Sequence, residues 1–180
     1  MKMFRLLFIT LALLIPPPAL AQSQSDVAAG SPDLGWVTFE LGYAGAKGMN
    51  PLGGGVSGSY LSKIGLLSIR FLGAGGSAIY PANLPTNHPM SVVELSTLYG
   101  MAHHTPTFLL SASSGVGVVW VLEYEPSRNH KSATIGIPLE AQAVFTPLNF
   151  LGIGMKAFGN INRTLSYGGI FFGLQLGKVK

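Results

Sequence analysis

The chain has 180 residues, of which 48% are hydrophobic and only 10% are charged, with a formal net charge of +4 and no cysteine. Soluble domains average about 25% charged residues, so this composition argues against an ordinary soluble protein. The absence of cysteine excludes a disulfide framework. The basic residues form no cluster of the kind that binds nucleic acid, so we expect no nucleic-acid partner.

The N-terminal segment has the features of a secretory signal. Lys2 and Arg5 precede a ten-residue apolar run that ends at three prolines, and Ala19-Leu20-Ala21 forms a small-x-small cleavage site. The apolar run is too short for a helix that spans a bilayer, which needs roughly 17–25 residues. We therefore predict a cleaved signal peptide over residues 1–21, followed by a flexible periplasmic leader over residues 22–34.

The remainder alternates between apolar residues and small or polar ones with a period of two, which is typical of β-strands. No run of about 18 apolar residues occurs after residue 21, which excludes helical membrane spans. The alternation predicts eight strands, at Trp36–Tyr43, Gly55–Leu61, Leu66–Leu72, Val92–Met101, Phe108–Tyr124, Ser132–Phe145, Phe150–Phe158 and Leu165–Leu176.

The predicted connections alternate in length. Strands 2, 4 and 6 end in short turns at Ser62–Gly65, His103–Pro106 and Thr146–Asn149, whereas the loops after strands 1, 3 and 5 are long and the loop after strand 7 is intermediate. Among the long ones is a polar loop at Glu125–Lys131. Outer-membrane barrels show this asymmetry. Within strand 6, Pro138 predicts a bulge, since proline lacks the amide hydrogen that a ladder needs.

Charged residues on the predicted strands all fall on the face opposite the apolar one. They are Glu40, Arg70, Glu94, Glu123, Glu140 and Lys156. A Lys or Arg facing the middle of a bilayer costs about 2–4 kcal/mol, so this partition favours an apolar exterior in lipid. An eight-stranded barrel is just wide enough to be filled by its own side chains, so we interpret these charges as a structural network in the lumen.

The last strand shows the two faces most clearly. Its apolar face, which we predict to be lipid-facing, consists of Ile170, Phe172, Leu174 and Leu176. We expect this strand to pair with strand 7 and with strand 1, closing the sheet. Aromatic residues near the strand ends predict interfacial girdles: Trp36, Tyr60, Tyr99, Phe108 and Phe145 at one rim, and Tyr43, Phe71, Trp120 and Tyr124 at the other. The sequence thus predicts an all-β, closed antiparallel eight-stranded up-and-down transmembrane β-barrel.

Two stretches carry a resemblance to a known group: Phe145–Gly154, and the C-terminal pattern Tyr167-x-Gly169-x-x-Phe172-x-Leu174. Over Trp36–Leu176 the chain resembles small outer-membrane β-barrel proteins of the porin-like group. The resemblance implies a barrel over residues 35–177 with a tail at 178–180, in the outer membrane of a Gram-negative cell. The C-terminal pattern is similar to the signal that the barrel-assembly machinery reads. We therefore expect this machinery and outer-membrane lipids as partners.

A possible catalytic set is His130, Ser132 and Glu140. It loosely resembles the His-x-Ser plus Glu arrangement of outer-membrane lipid A deacylases, and such a set can activate a hydroxyl nucleophile. A His close to a Ser in a loop arises easily by chance, so we prefer a structural interpretation. The adjacent His103 and His104 face opposite ways on a strand and lack a third ligand, so we expect no metal and no cofactor.

Three functions are compatible with the sequence. The preferred hypothesis is a non-enzymatic integral outer-membrane barrel with a filled polar lumen and external loops that serve structural, adhesive or ligand-contact roles. The surface ligand is not identified by the sequence. The first alternative is a lipid A deacylase-like hydrolase. The second is a soluble exported carrier of the lipocalin type, which would need apolar residues inside and charges outside.

Overall fold

The computed structural model describes residues 33–46, 52–75, 90–125 and 128–179, with only the backbone described at residues 124, 125, 128 and 129. The predicted signal peptide at 1–21 and the leader up to residue 32 lie outside the described residues. Within the described ranges, no helix is long and apolar enough to cross a membrane.

Eight antiparallel strands form a closed barrel in which each strand pairs with the next one and the last with the first. This confirms the predicted fold class. The strands are β1 (Leu34–Gly45), β2 (Leu52–Ser62), β3 (Gly65–Gly75), β4 (Met90–His104), β5 (Phe108–Glu125), β6 (Arg128–Leu148), β7 (Leu151–Asn162) and β8 (Tyr167–Lys178).

Closure of the barrel depends on β8, which pairs with β7 and with β1 as predicted. Its partners on β1 include Val37 opposite Leu176. The prediction of a separate tail at 178–180 is wrong for its first two residues. Lys178 belongs to β8, and the amide of Val179 donates to the Asn149 carbonyl at 2.9 Å. Val179 is buried because its apolar side chain joins a cluster inside the barrel. Likewise Leu34, which we placed in the leader, starts β1 and is buried.

The two ends of the barrel differ. At one end of the barrel, here called the terminal end, β1 begins and β8 ends. The connections 63–64, 105–107 and 149–150 lie at the same end. The opposite loop end holds the connections 46–51, 76–89, 126–127 and 163–166. The predicted asymmetry holds for the loops after β1 and β3, which have six and fourteen residues, and the four-residue loop after β7 has the predicted intermediate length.

The predicted loop at Glu125–Lys131 is wrong. β5 runs on to Glu125 and β6 begins at Arg128, so only residues 126–127 connect them. The two strands continue as a hairpin past the point where β6 leaves β7. The polar composition that suggested a loop is compatible with a strand here, because cross-strand hydrogen bonds satisfy the backbone wherever two strands pair.

The irregularity in β6 lies elsewhere than predicted. Around Pro138 the register with β5 is unchanged, since Ser114 pairs with Leu139 and Gly117 with Gly136. The bulge lies instead between Phe145 and Leu148, where β6 has one residue more than the paired segment of β7. β4 and β6 also extend into the turns predicted at His103–Pro106 and Thr146–Asn149. Pairing therefore continues past residues that favour turns.

The faces of the strands follow the predicted alternation. On β8, Phe172 is 66% exposed on the outside, whereas Phe171 is fully buried inside. The outside carries a belt of exposed apolar side chains on all eight strands. The prediction of Trp36 in an interfacial girdle is wrong. Trp36 is only 4% exposed and lies in the lumen, because it is on the same face of β1 as the inward-facing Thr38 and Glu40.

Candidate functional site: a closed lumen with a charged middle layer

Side chains fill the lumen in three layers. Apolar clusters close its two ends, and a layer of polar and charged side chains lies between them. The cluster at the terminal end, the terminal plug, consists of Leu34, Trp36, Leu66, Leu109, Val144 and Val179. The cluster at the loop end, the loop plug, consists of Ala44, Leu72, Ala74, Val92, Val119, Val121, Phe158, Tyr167 and Phe171. The two plugs were missed by the sequence analysis, although parity places their strand residues on the inward face.

The middle layer contains a chain of ion pairs with alternating sign. Arg70 donates from Nη2 to Glu94 Oε1 at 2.6 Å and from Nη1 to Glu140 Oε2 at 3.0 Å. Lys156 Nζ lies 3.2 Å from the same oxygen of Glu140 and 2.5 Å from Glu40 Oε1. Five strands thus contribute one charge each. We call these five side chains the charged layer.

Neutral side chains donate further hydrogen bonds to the carboxylates at the two ends of this chain of ion pairs. Asn160 Nδ2 donates to Glu94 Oε2 at 3.1 Å, and the Tyr167 hydroxyl donates to the same oxygen. Ser57 Oγ donates to Glu40 Oε1 at 2.9 Å. A buried carboxylate is costly unless it is paired and hydrogen-bonded, so these donors stabilise a layer that holds three carboxylates but only two cations.

Aromatic rings connect the charged layer to the loop plug. The Arg70 guanidinium carbon lies 5.6 Å from the centre of the Phe158 ring, within the range of a cation–π interaction. Phe158 in turn packs on Phe171, with ring centres 4.4 Å apart. Arg70 is only 1% exposed. Its guanidinium contacts two carboxylates at its edge and the ring of Phe158 at its face.

A cavity of about 10 Å³ adjoins the Glu40 end of the charged layer. Thr38, Glu40 and Gln175 line it. Their Oγ1, Oε2 and Oε1 atoms are buried and have no hydrogen-bond partner among the described residues. A buried water needs about this volume and two to four polar partners, so these three oxygens suit a single water molecule.

Five of the six charges that we assigned to the lumen lie together in the charged layer. Glu123 does not, because it lies nearer the loop end, half-buried on β5 opposite Met90 and His130. Among the described residues no ion pair joins it to the other five. Parity assigned its face correctly, but height along the barrel separates it from the layer.

The structure does not bring His130, Ser132 and Glu140 together. All three lie on β6, and eight residues of extended strand put Ser132 about 26 Å from Glu140. His130 and Ser132 are exposed, whereas Glu140 is buried and bonded to two cations. No three His, Cys, Asp or Glu side chains among the described residues are grouped so that they could hold a metal ion.

Comparison with known proteins finds similarity in structure only. No protein-family model matches the chain, and no curated protein matches it. Among solved structures, the attachment invasion locus protein Ail of Yersinia pestis is 9% identical with a TM-score of 0.58, covering 81% of this chain and 96% of its own. Neisserial surface protein A is 9% identical with a TM-score of 0.59, covering 81% and 97%. A major outer membrane protein from Thermus thermophilus is 10% identical with a TM-score of 0.59, covering 82% and 100%.

At these identities the similarity establishes the fold. The chain has the closed eight-stranded barrel of small outer-membrane proteins, with polar groups inside and an apolar belt outside. The protein is therefore a closed eight-stranded β-barrel with a polar, side-chain-filled interior.

Proposed function

We propose that the protein is a non-enzymatic integral outer-membrane barrel whose lumen neither conducts nor catalyses, and whose function resides on the surface of its loop end. The observation that carries this proposal is the closure of the charged layer by an apolar plug on each side. An ion or substrate would have to displace packed side chains to enter. Structural support, adhesion or ligand contact at the loop end are the roles that this arrangement leaves.

The exposed belt supports a location in the outer membrane. Side chains such as Ile69, Ile153 and Phe172 are more than half exposed, and such a continuous apolar surface is stable in lipid rather than in water. Closed barrels and helices are the structures that satisfy their backbone in a bilayer. Outer-membrane lipids are then the permanent partners of this surface. A signal peptide at residues 1–21 and insertion by the barrel-assembly machinery are parts of the same proposal.

The two alternative functions find less support. A lipocalin-like carrier would bind its ligand in an apolar interior and present charges to water, which is the reverse of this barrel. A deacylase-like hydrolase would need His130, Ser132 and Glu140 within hydrogen-bond reach, but Glu140 lies far from the other two. Replacing Ser132 by Ala is therefore expected to leave lipid A unchanged in cells, and the wild type is expected to show no lipid A deacylation.

Two measurements test the proposal. Cell fractionation is expected to place the protein in the outer membrane, and a boiled sample is expected to migrate differently from an unboiled one on a detergent gel. Recovery in the soluble periplasm would contradict the membrane location. Purified protein in planar bilayers is expected to give no steady ion conductance, whereas reproducible channels from the wild type would contradict the closed lumen.

A further inference from the structure

At the loop end of the β5–β6 hairpin, part of one edge of β6 has no partner strand among the described residues. β6 pairs with β5 from Arg128 to Phe145, but with β7 only from Gly136 to Leu148. Along Arg128–Ile135, here called the open edge, no described strand pairs with the second side of β6. At about 3.3 Å per residue the open edge is about 26 Å long, enough for a full ladder with another strand.

The open edge retains its hydrogen-bonding capacity. Its sequence contains neither proline nor glycine, so every residue keeps an amide donor, and because the segment is extended, alternate amides and carbonyls point to the open side. Within it His130, Lys131 and Ile135 are exposed, Ile135 by 72%. A row of unpaired amide and carbonyl groups is a template onto which an extended peptide adds as a further strand.

The charges of the hairpin indicate which strand fits. On the paired side, β5 places Glu125 opposite Arg128 and Glu123 opposite His130. The open edge itself carries these two basic residues and Lys131, and no acidic residue. A strand with carboxylates at alternate positions would repeat on the open side the pairing that β5 makes on the other. A second copy of this edge would bring like charges together, which disfavours self-association.

We propose that the open edge binds an extended acidic segment of another protein, which adds to β6 as an extra strand. Backbone hydrogen bonds supply the affinity, and carboxylates opposite the basic residues supply the selectivity. The proposal deepens the surface-contact role and rests on it for the exposure of the loop end outside the cell. Binding by the purified protein tests the edge independently of location.

The probe is a fluorescent ten-residue peptide of alternating Thr and Glu, titrated onto the full chain in detergent micelles. The matched control is the same peptide with every backbone amide N-methylated, which keeps the charge but has no amide donor for the ladder on either edge. We expect the N-methylated peptide to bind at least about tenfold more weakly. Equal affinity of the two peptides, or no binding of either at about 1 mM, would overturn the proposal.

A variant of the protein separates the open edge from the rest of the surface. The double substitution His130→Glu with Lys131→Glu is expected to weaken binding of the acidic peptide by about tenfold and to create binding of an alternating Thr–Lys peptide. Lys178→Glu, at an exposed lysine of the terminal end, is the control and should leave both affinities unchanged. An equal loss in both variants would contradict the assignment to the open edge. Heat-modifiable migration shows that each variant has folded, so failure of the fold and failure of the edge are distinguishable.

Discussion

At the scale of single residues, the narrow barrel brings neighbouring backbones so close that some positions accept only glycine. A Cβ added at Gly169 would lie 1.9 Å from the carbonyl oxygen of Tyr43 and 2.7 Å from the Cα of Ala44. Both contacts are with backbone, which has no freedom to move inside a closed sheet. At Gly58, on the outer face, no heavy atom lies within 4 Å of the same position.

We therefore expect Gly169→Ala to lower the free energy of unfolding by at least about 1–3 kcal/mol, as overpacking does in cores. Gly58→Ala, the matched control, should stay within about 0.5 kcal/mol of the wild type. Urea titration of the folded barrel in detergent micelles, followed by tryptophan fluorescence, measures both. A Gly169→Ala barrel as stable as the Gly58→Ala barrel would contradict the close approach.

Arg70 is the residue on which the charged layer depends most, since it holds two carboxylates at once. Arg70→Met keeps the apolar stem but leaves three buried carboxylates with one cation. Removing one partner of a buried ion pair typically costs about 3–5 kcal/mol, and we expect a loss of this size in the free energy of unfolding. Adding Glu94→Gln to the same chain should restore part of it.

The control for this prediction is Glu123→Gln, because Glu123 lies outside the charged layer. Its effect should be within about 0.5 kcal/mol. The same urea titration applies. If Arg70→Met lowered the free energy of unfolding no more than Glu123→Gln does, the chain of ion pairs would not contribute to stability.

At the scale of the element, β8 shows how alternation decides what a strand tolerates. Phe172 points outward at 66% exposure, and its neighbour Phe171 is fully buried in the loop plug. Arginine near the bilayer midplane costs about 2–4 kcal/mol, so Phe172→Arg should lower the stability of the barrel in lipid vesicles by this amount. Ser132→Arg, on the exposed hairpin beyond β7, serves as the control and should have little effect. Reversible unfolding in vesicles measures the difference. A fully tolerated Phe172→Arg would mean that the outer face is not in lipid.

At the scale of the whole molecule, closure between the first and last strands can be tested chemically, because the chain has no cysteine of its own. Val37 and Leu176 are direct partners on β1 and β8. Partner Cα atoms in an antiparallel pair lie about 4.5–5.5 Å apart, which suits a disulfide. Val37→Cys with Leu176→Cys should therefore oxidise to an intramolecular disulfide that accelerates migration of the denatured chain on a gel. The off-register pair Val37→Cys with Leu174→Cys should oxidise far less, and efficient oxidation of that pair alone would contradict the register.

The hairpin that extends β5 and β6 shows the limit of reading strands by their apolar residues. Inside a membrane one face must be apolar, so alternation marks the strand. Between Arg128 and Gly136 β6 does not pair with β7, and neither face of the hairpin has to be apolar there. Arg128–Lys131 accordingly shows no apolar alternation. The same polarity is compatible with a loop and with a paired strand, and only the cross-strand register decides between them.

The sequence by itself determined the eight strands, their faces and the two-sided pairing of β8, because alternation along a strand is a local property with a period of two. It also identified the charges that face inward. The tertiary structure decided which of them meet: the stagger of neighbouring strands brings Arg70 between Glu94 and Glu140 and leaves Glu123 apart. It also placed Trp36 and Val179 in the terminal plug. Those outcomes depend on height along the barrel, which is set by the pairing of strands distant in the chain and is not encoded in any single strand.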